Sequence, residues 1–209
     1  MKNSEVTYDV GVAIPEDISP VFYAVNAVNS GSVVKGDQLV FENGTVKVPE
    51  NISRIMWKVE NMVGFSAPVS AGAAIELAKV TFDAKFDSGE ADTTATVKIT
   101  DAEGVKIIGN GTDTYILPSI SGFTYNVTTS NSAYNNVALE EQTPTSGSVK
   151  VTFGQKHFTV IAPKDSVVSA GTLNGSFAYS FASAISKEAV EDTVVYKFAP
   201  LSGNAFVRV

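Results

Sequence analysis

ISRIMWKVENMVGFSAPVSAGAAIELAKVTFDAKFDSGEADTTATVKI, residues 52–99, alternates apolar and polar side chains in three successive runs with no helical segment between them. In the first run Ile55, Trp57 and Val59 share one parity and Arg54, Met56, Lys58 and Glu60 the other. One side therefore meets a core and the other mostly meets water, because successive side chains of a strand point to opposite faces. In the second run Val80, Phe82, Ala84 and Phe86 alternate with Thr81, Asp83 and Lys85; in the third Ala95, Val97 and Ile99 alternate with Thr94, Thr96 and Lys98. The turn Asp87-Ser88-Gly89-Glu90 predicts that these two strands are neighbours. Just upstream, Ile75 and Leu77 are odd-numbered whereas Val80 and Phe82 are even, so a single strand over 74–86 predicts a β-bulge near Ala78 and Lys79.

Turn signals recur at short intervals, among them Asn43-Gly44, Asn110-Gly111 and Asn174-Gly175, a dipeptide that tolerates the positive φ of two-residue hairpins. Short strands punctuated this way predict an all-β fold of two antiparallel β-sandwich domains with little or no helix. Strands are expected near 6–14, 20–28, 38–41, 45–48, 53–60, 74–86, 93–100 and 105–108, about the seven of one sandwich. Gly109-Asn110-Gly111-Thr112-Asp113 then breaks the pattern, which places a domain boundary between residues 109 and 110 and gives domains 1–109 and 110–209. The loop Glu140 to Gly147 is the competing boundary. Further strands are expected at 123–128, 134–139, 148–153, 157–162, 175–181, 193–198 and 205–209. One short helix is expected over Ser183–Asp192, with Ser186 as a cap.

A length of 209 residues suits two domains, since domains cluster at roughly 100–150 residues. The 12 Phe and 7 Tyr supply the bulk that sandwich interiors need. A net charge of −7, spread as single residues, disfavours binding to nucleic-acid phosphate. Cysteine is absent, so neither disulfides nor thiolate-bound metal hold the fold. The start Met1-Lys2-Asn3-Ser4-Glu5 lacks the apolar run of a signal peptide, and Ser66–Phe82, broken by Glu76 and Lys79, is short of the ~20 apolar residues that cross a bilayer.

Residues 52–107 resemble the second half of a cohesin module, the β-sandwich that binds dockerins in cellulosomes. The likeness lies in Ile55-Met56-Trp57, in Gly72 through Phe86, and in Ser88-Gly89 followed by Thr94 through Ile99. Ile18 through Val25 corresponds to an early strand of that family, whereas its opening strand and Gly-Asp turn have no counterpart. The resemblance implies a sandwich that binds a protein partner through one face of its sheet.

Residues with catalytic potential are few. The one histidine, His157, sits in Phe153-Gly154-Gln155-Lys156-His157-Phe158-Thr159-Val160, which reads as a hairpin. Ser66 lacks the second glycine and the following helix of a nucleophile elbow, so no triad is expected. Asp83, Asp87, Glu90 and Asp92 cluster around one loop and are the best calcium candidates, but their spacing fits no EF-hand, and a solvated hairpin tip is expected. Asp101-Ala102-Glu103-Gly104 is read the same way. Several Asn-x-Ser/Thr acceptor patterns occur, three of them Asn-Gly turns, and glycosylation is discounted. A Lys150–Asn204 isopeptide bond is conceivable on strand position alone. No catalytic, cofactor-binding or metal-binding residue is therefore predicted.

The composition of an extracellular β protein, beside a start with no leader, predicts a non-catalytic structural protein of a virion. It would be a bacteriophage decoration, tail or fibre component that contacts other virion proteins or copies of itself. The alternative is a cohesin-like binding module of a secreted or cell-surface bacterial protein. A carbohydrate-binding module ranks third, because the single Trp57 lies on the core parity.

Overall fold

The computed structural model describes residues 6–173, 179–202 and 204–209, and every regular element among them is a strand. The first part of the chain holds β1 (Thr7–Ala13), β2 (Val21–Asn29), β3 (Ser32–Gln38), β4 (Val40–Glu42), β5 (Thr45–Pro49), β6 (Arg54–Lys58), β7 (Ser66–Pro68) and β8 (Ala74–Phe86). There follow β9 (Thr96–Thr100), β10 (Lys106–Asn110), β11 (Tyr115–Pro118), β12 (Phe123–Thr128), β13 (Val137–Gln142) and β14 (Gly147–Phe153). Last come β15 (Phe158–Pro163), β16 (Ser169–Leu173), β17 (Tyr179–Ala182), β18 (Ala184–Val190), β19 (Thr193–Phe198) and β20 (Asn204–Arg208).

The chain divides into two compact units: the described residues through Ser130 with Asn136–Phe153, and Asn131–Asn135 with Gly154–Val209. The boundary expected between residues 109 and 110 lies inside the first unit, as does the competing loop Glu140–Gly147. Pairing is the reason: β12 pairs with β9, and β11 and β14 both pair with β8. The segment from Phe153 to Val160, expected as a hairpin, instead leads from the last strand of the first unit into the second.

The first unit contains the sheet β11-β8-β1-β5-β4 with β14 also on β8, and the sheets β3-β2-β6-β7 and β10-β9-β12-β13. Pairings are antiparallel except for β1 and β14, which run parallel to β8. Asn43 and Gly44 both adopt positive φ in the β4–β5 hairpin, as the dipeptide predicts. The Asn110-Gly111 pair makes no hairpin, and Asn174-Gly175 lies outside the described residues.

β8 explains the parity change without a bulge. Its ladder with β11 runs one for one from Leu77 to Val80, and that with β14 from Val80 to Phe86. Ile75 sits opposite Val12, whose neighbour Val10 sits opposite Val46, itself opposite Phe41, so Ile75 and Leu77 share the face on which Phe41 meets Phe22 and, through it, Trp57. Val80, Phe82 and Ala84 point to the other face, where Phe82 meets Tyr115 and Tyr125 edge-on at 5.6 and 5.4 Å. One strand thus feeds two cores, the first closed by β3-β2-β6-β7 and the second by β10-β9-β12-β13. Tyr115, Ile116, Leu117 and Pro118 of β11 are accordingly buried on both faces. The Trp57 indole Nε1–H donates to the Ile116 carbonyl at 2.8 Å, so the largest core ring leaves no polar group unsatisfied.

β8 and β9 are not the neighbours that their turn suggests. Phe86 N–H bonds Glu90 O and Asp92 N–H bonds Ala84 O, after which the chain crosses to another sheet and β9 pairs with β10 and β12. Between β10 and β11 the Tyr115 hydroxyl donates back to the Asn110 carbonyl at 2.7 Å, in the manner of the tyrosine corner of Ig-like sandwiches. Gly109 is required beside it, since a Cβ there would stand 2.6 Å from that hydroxyl.

The second unit is built from the sheets β15-β19-β18 and β17-β16-β20 around Ala162, Val168, Ala170, Val194, Tyr196 and Phe198. The expected helix over Ser183–Asp192 is β18, paired antiparallel with β19 and turning at Glu191, whose φ is +52°. A helix of that length is marginal alone, whereas the ladder to β19 satisfies the backbone.

Trp57 and Phe82 belong to separate cores, so Trp57→Ala and Phe82→Ala are each expected to cost about 3–5 kcal/mol, read as lowered midpoints in urea denaturation. A midpoint that stays put for either variant would remove that ring from the core.

Candidate functional site

Of the residues singled out for chemistry, Ser66, Asp92 and Asp101 are buried in the fold, while His157, Asp87 and Glu90 are exposed. Arg54, on the parity expected to face water, is 5% exposed. Its guanidinium donates to Ser66 Oγ at 2.7 Å, to Glu103 Oε2 at 2.6 Å, and pairs with Asp101 Oδ2 at 3.0 Å. Asp101 is buried as well and its other oxygen accepts the N–H groups of Glu103 and Val105. The Asp101–Gly104 turn is thus no solvated tip at Asp101: it carries a buried carboxylate into the β6 sheet. Burial of a charge is tolerated because each ion is answered by an opposite charge and by hydrogen bonds.

The acidic loop after β8 does not gather into a cation site. Asp83 pairs with Lys85 at 2.9 Å, Asp87 and Glu90 are exposed, and Asp92 is 7% exposed. No group of three His, Cys, Asp or Glu positioned to hold a metal exists among the described residues. Burial alone would raise the Asp92 pKa, but hydrogen bonds from the Thr129 and Thr94 hydroxyls and the Thr94 and Ala95 N–H groups hold it below its ordinary 3.8. Asp92 is therefore a buried cap for the approach to β9, contrary to the solvated tip expected. Burial likewise pushes Tyr125 up to about 12, and burial with Asp113 nearby raises Tyr115 further.

His157 is exposed, with Nδ1 3.2 Å from the Gln155 carbonyl, and belongs to the second unit, whereas Ser66 is buried in the first. Lys150 is exposed on β14 of the first unit and Asn204 on β20 of the second; no lysine is buried among the described residues, which removes the setting that an isopeptide bond requires. Grooves on the first unit are open. One of about 350 Å3 is lined by Asp37, Lys47 and Asn26, another by Arg54, Pro68 and Glu103. Each brings one carboxylate to its wall, where glycoside hydrolysis uses two.

An exposed aromatic face lies elsewhere. On the sheet β17-β16-β20, Tyr179 and Phe181 are 65% and 66% exposed and stack at 6.3 Å, while Phe206 meets them edge-on at 5.4 and 5.7 Å. Sequence reading missed this face because Tyr179, Phe181 and Phe206 carry the same apolar alternation as a core strand.

No protein-family model and no curated protein matches the chain. Among solved structures it is similar to the shaft pilin SpaA of Lactobacillus rhamnosus GG, at 11% identity and a TM-score of 0.29 over 72% of this chain and 98% of that one. It is similar to a streptococcal ancillary pilin at 9% identity and a TM-score of 0.29, over 97% and 86%. The Bacillus anthracis TIE protein aligns at 10% identity and a TM-score of 0.30, over 92% and 43%. Scores of this size do not superpose whole folds, and no residue or activity carries over.

Arg54→Met is expected to lower stability by about 3–5 kcal/mol by leaving the buried Asp101 carboxylate without a cation, Asp101→Asn to cost less because Glu103 still pairs with the guanidinium, and the double variant to cost less than the sum of the two. Urea denaturation of the two single variants and the double variant measures the coupling. For Asp92 the folded pKa lies below the unfolded one, so its contribution is present above 3.8 and is lost as pH falls through the folded value. The gap in denaturation midpoint between the natural protein and Asp92→Asn should therefore hold at pH 6 to 7 and narrow only in the acid range below about 4. A gap independent of pH would show that the carboxylate is not the source.

Proposed function

We propose that this chain is a non-catalytic structural module of an assembly outside the cell, acting through protein–protein contacts with other subunits or with copies of itself. The observation that carries the reading is how the side chains are distributed. Arg54, Asp101 and Asp92 are consumed in holding strands together, while among the described residues Tyr179 and Phe181, stacked on each other, stay about two thirds exposed. Apolar patches of this kind mark contact sites more often than they are tolerated idly. The first unit supplies a stiff body, since its two cores share β8 with no linker between them.

The assembly belongs, in this reading, to a bacterial cell surface. The virion placement expected from sequence rests on the first residues of the chain, and the fold adds nothing to it. The narrower cohesin-like binding role draws on the same sheet faces and is the protein-binding form of this reading. Trp57, 1% exposed and hydrogen-bonded in the core, offers no platform to a sugar.

Protease shaving and immunogold labelling of source cells test the proposal. Surface labelling with release of this chain in high-order species is the expected result. Recovery only in pelleted phage particles transfers the same activity to a virion, and a soluble monomer inside the cell that turns over a substrate overturns it.

A further inference from the structure

We infer that β20 is a self-pairing edge, through which two copies of the second unit join as antiparallel strands about a two-fold axis with Phe206 against Phe206 of the partner subunit. The inference deepens the assembly reading and rests on it. β20 ends the sheet β17-β16-β20, and its outward side pairs with no strand among the described residues. Soluble proteins blunt such edges with charge, proline, bulges or short length. β20 has none of these at its centre: Ala205, Phe206 and Val207 are uncharged, the ladder to β16 runs one for one, and Val207 is 49% exposed.

The other edges of this unit are blunted. β15 ends in Pro163, β17 is four residues long, and β18 carries Lys187 and Glu188 at its centre with a register break between Ala184 and Ser186. The charge pattern decides between β18 and β20. A two-fold axis normal to the sheet keeps like faces together, so each residue meets a partner of its own parity. On β18 the central registers set Lys187 against Lys187, or Glu188 against Glu188, of the partner subunit. On β20 the register centred on Phe206 sets Arg208 against Asn204 of the partner subunit and Ala205 against its Val207, with no like charges opposed.

The same register joins the aromatic faces. Phe206 sits in one cross-strand row with Gly171 and Phe181, and a Cβ on Gly171 would come within 3.0 Å of the Phe206 ring and 2.2 Å of the Ser180 carbonyl. The glycine lets the rings close over β16 and carry the aromatic row to the outer strand. Pairing at β20 continues that row into the partner, in the manner of β-strand addition.

Sedimentation velocity of the full chain over a concentration series tests this, with Phe206→Glu and Phe206→Lys alone and mixed. The natural protein is expected to dimerise, each variant to weaken self-association at least about tenfold through like charges at the axis, and the mixture to restore a one-to-one dimer. Ala205→Lys, which keeps the ring, repeats the test if circular dichroism shows that either Phe206 variant fails to fold. Oligomers that persist unchanged in all variants overturn pairing at β20 and leave the assembly reading standing. A chain that stays monomeric at every concentration and is retarded by polysaccharide in affinity electrophoresis assigns the aromatic face to a sugar and overturns both.

Discussion

The two-residue period of β8 is the constraint on which the first unit depends. Because successive side chains alternate, a strand covered on one face offers half its residues to a core; β8 is covered on different faces along its length, and offers Ile75 and Leu77 to one interior and Val80, Phe82 and Ala84 to another. Its continuity keeps both sets in place. A one-residue slip would turn every one of these side chains to the wrong side, so both cores fix the same register. β11 is the counterpart, buried on both faces where the two interiors overlap.

Around that strand the buried polar interactions centre on Arg54. Arg54 reaches from β6 to the turn after β9, so the sheet that closes the first core is tied by charge to the one that closes the second. Phe65 and Phe123 meet at 5.4 Å between the same two sheets and add an apolar contact to the ionic one. The Arg54–Asp101 pair and the Phe65–Phe123 contact are buried, so salt screens them little. The joint between the cores is therefore continuous.

How far the sequence can be read follows from this arrangement. Strand positions governed by local alternation were legible: 74–86, 123–128 and 193–198 match β8, β12 and β19. What covers each face was not, because alternation gives parity and says nothing of which sheet lies above it. The odd-to-even change in β8 therefore resembles a bulge when it marks a change of core. β11 was missed since Tyr-Ile-Leu-Pro, buried on both sides, has no alternation to detect. Arg54 was placed in water because its partner Asp101 is distant in the chain and only the fold brings them together. The Gly109–Asp113 stretch carries turn residues for the tyrosine corner, and composition alone cannot separate a corner from a linker. The buried role of Asp92 had a local signal in Asp92-Thr93-Thr94, where a carboxylate can accept the N–H two residues on.

The parallel ladders of β8 have a mechanical meaning. β1 enters beside the start of β8 and β14 leaves beside its end, both running in its own direction. Tension applied between the beginning of β1 and the end of β14 pulls along the strands, and each ladder meets it in shear with its hydrogen bonds loaded together. Peeling would break them one at a time at far lower force. β8 acts as a splice plate in a tie bar, and the first unit resists stretching along that line.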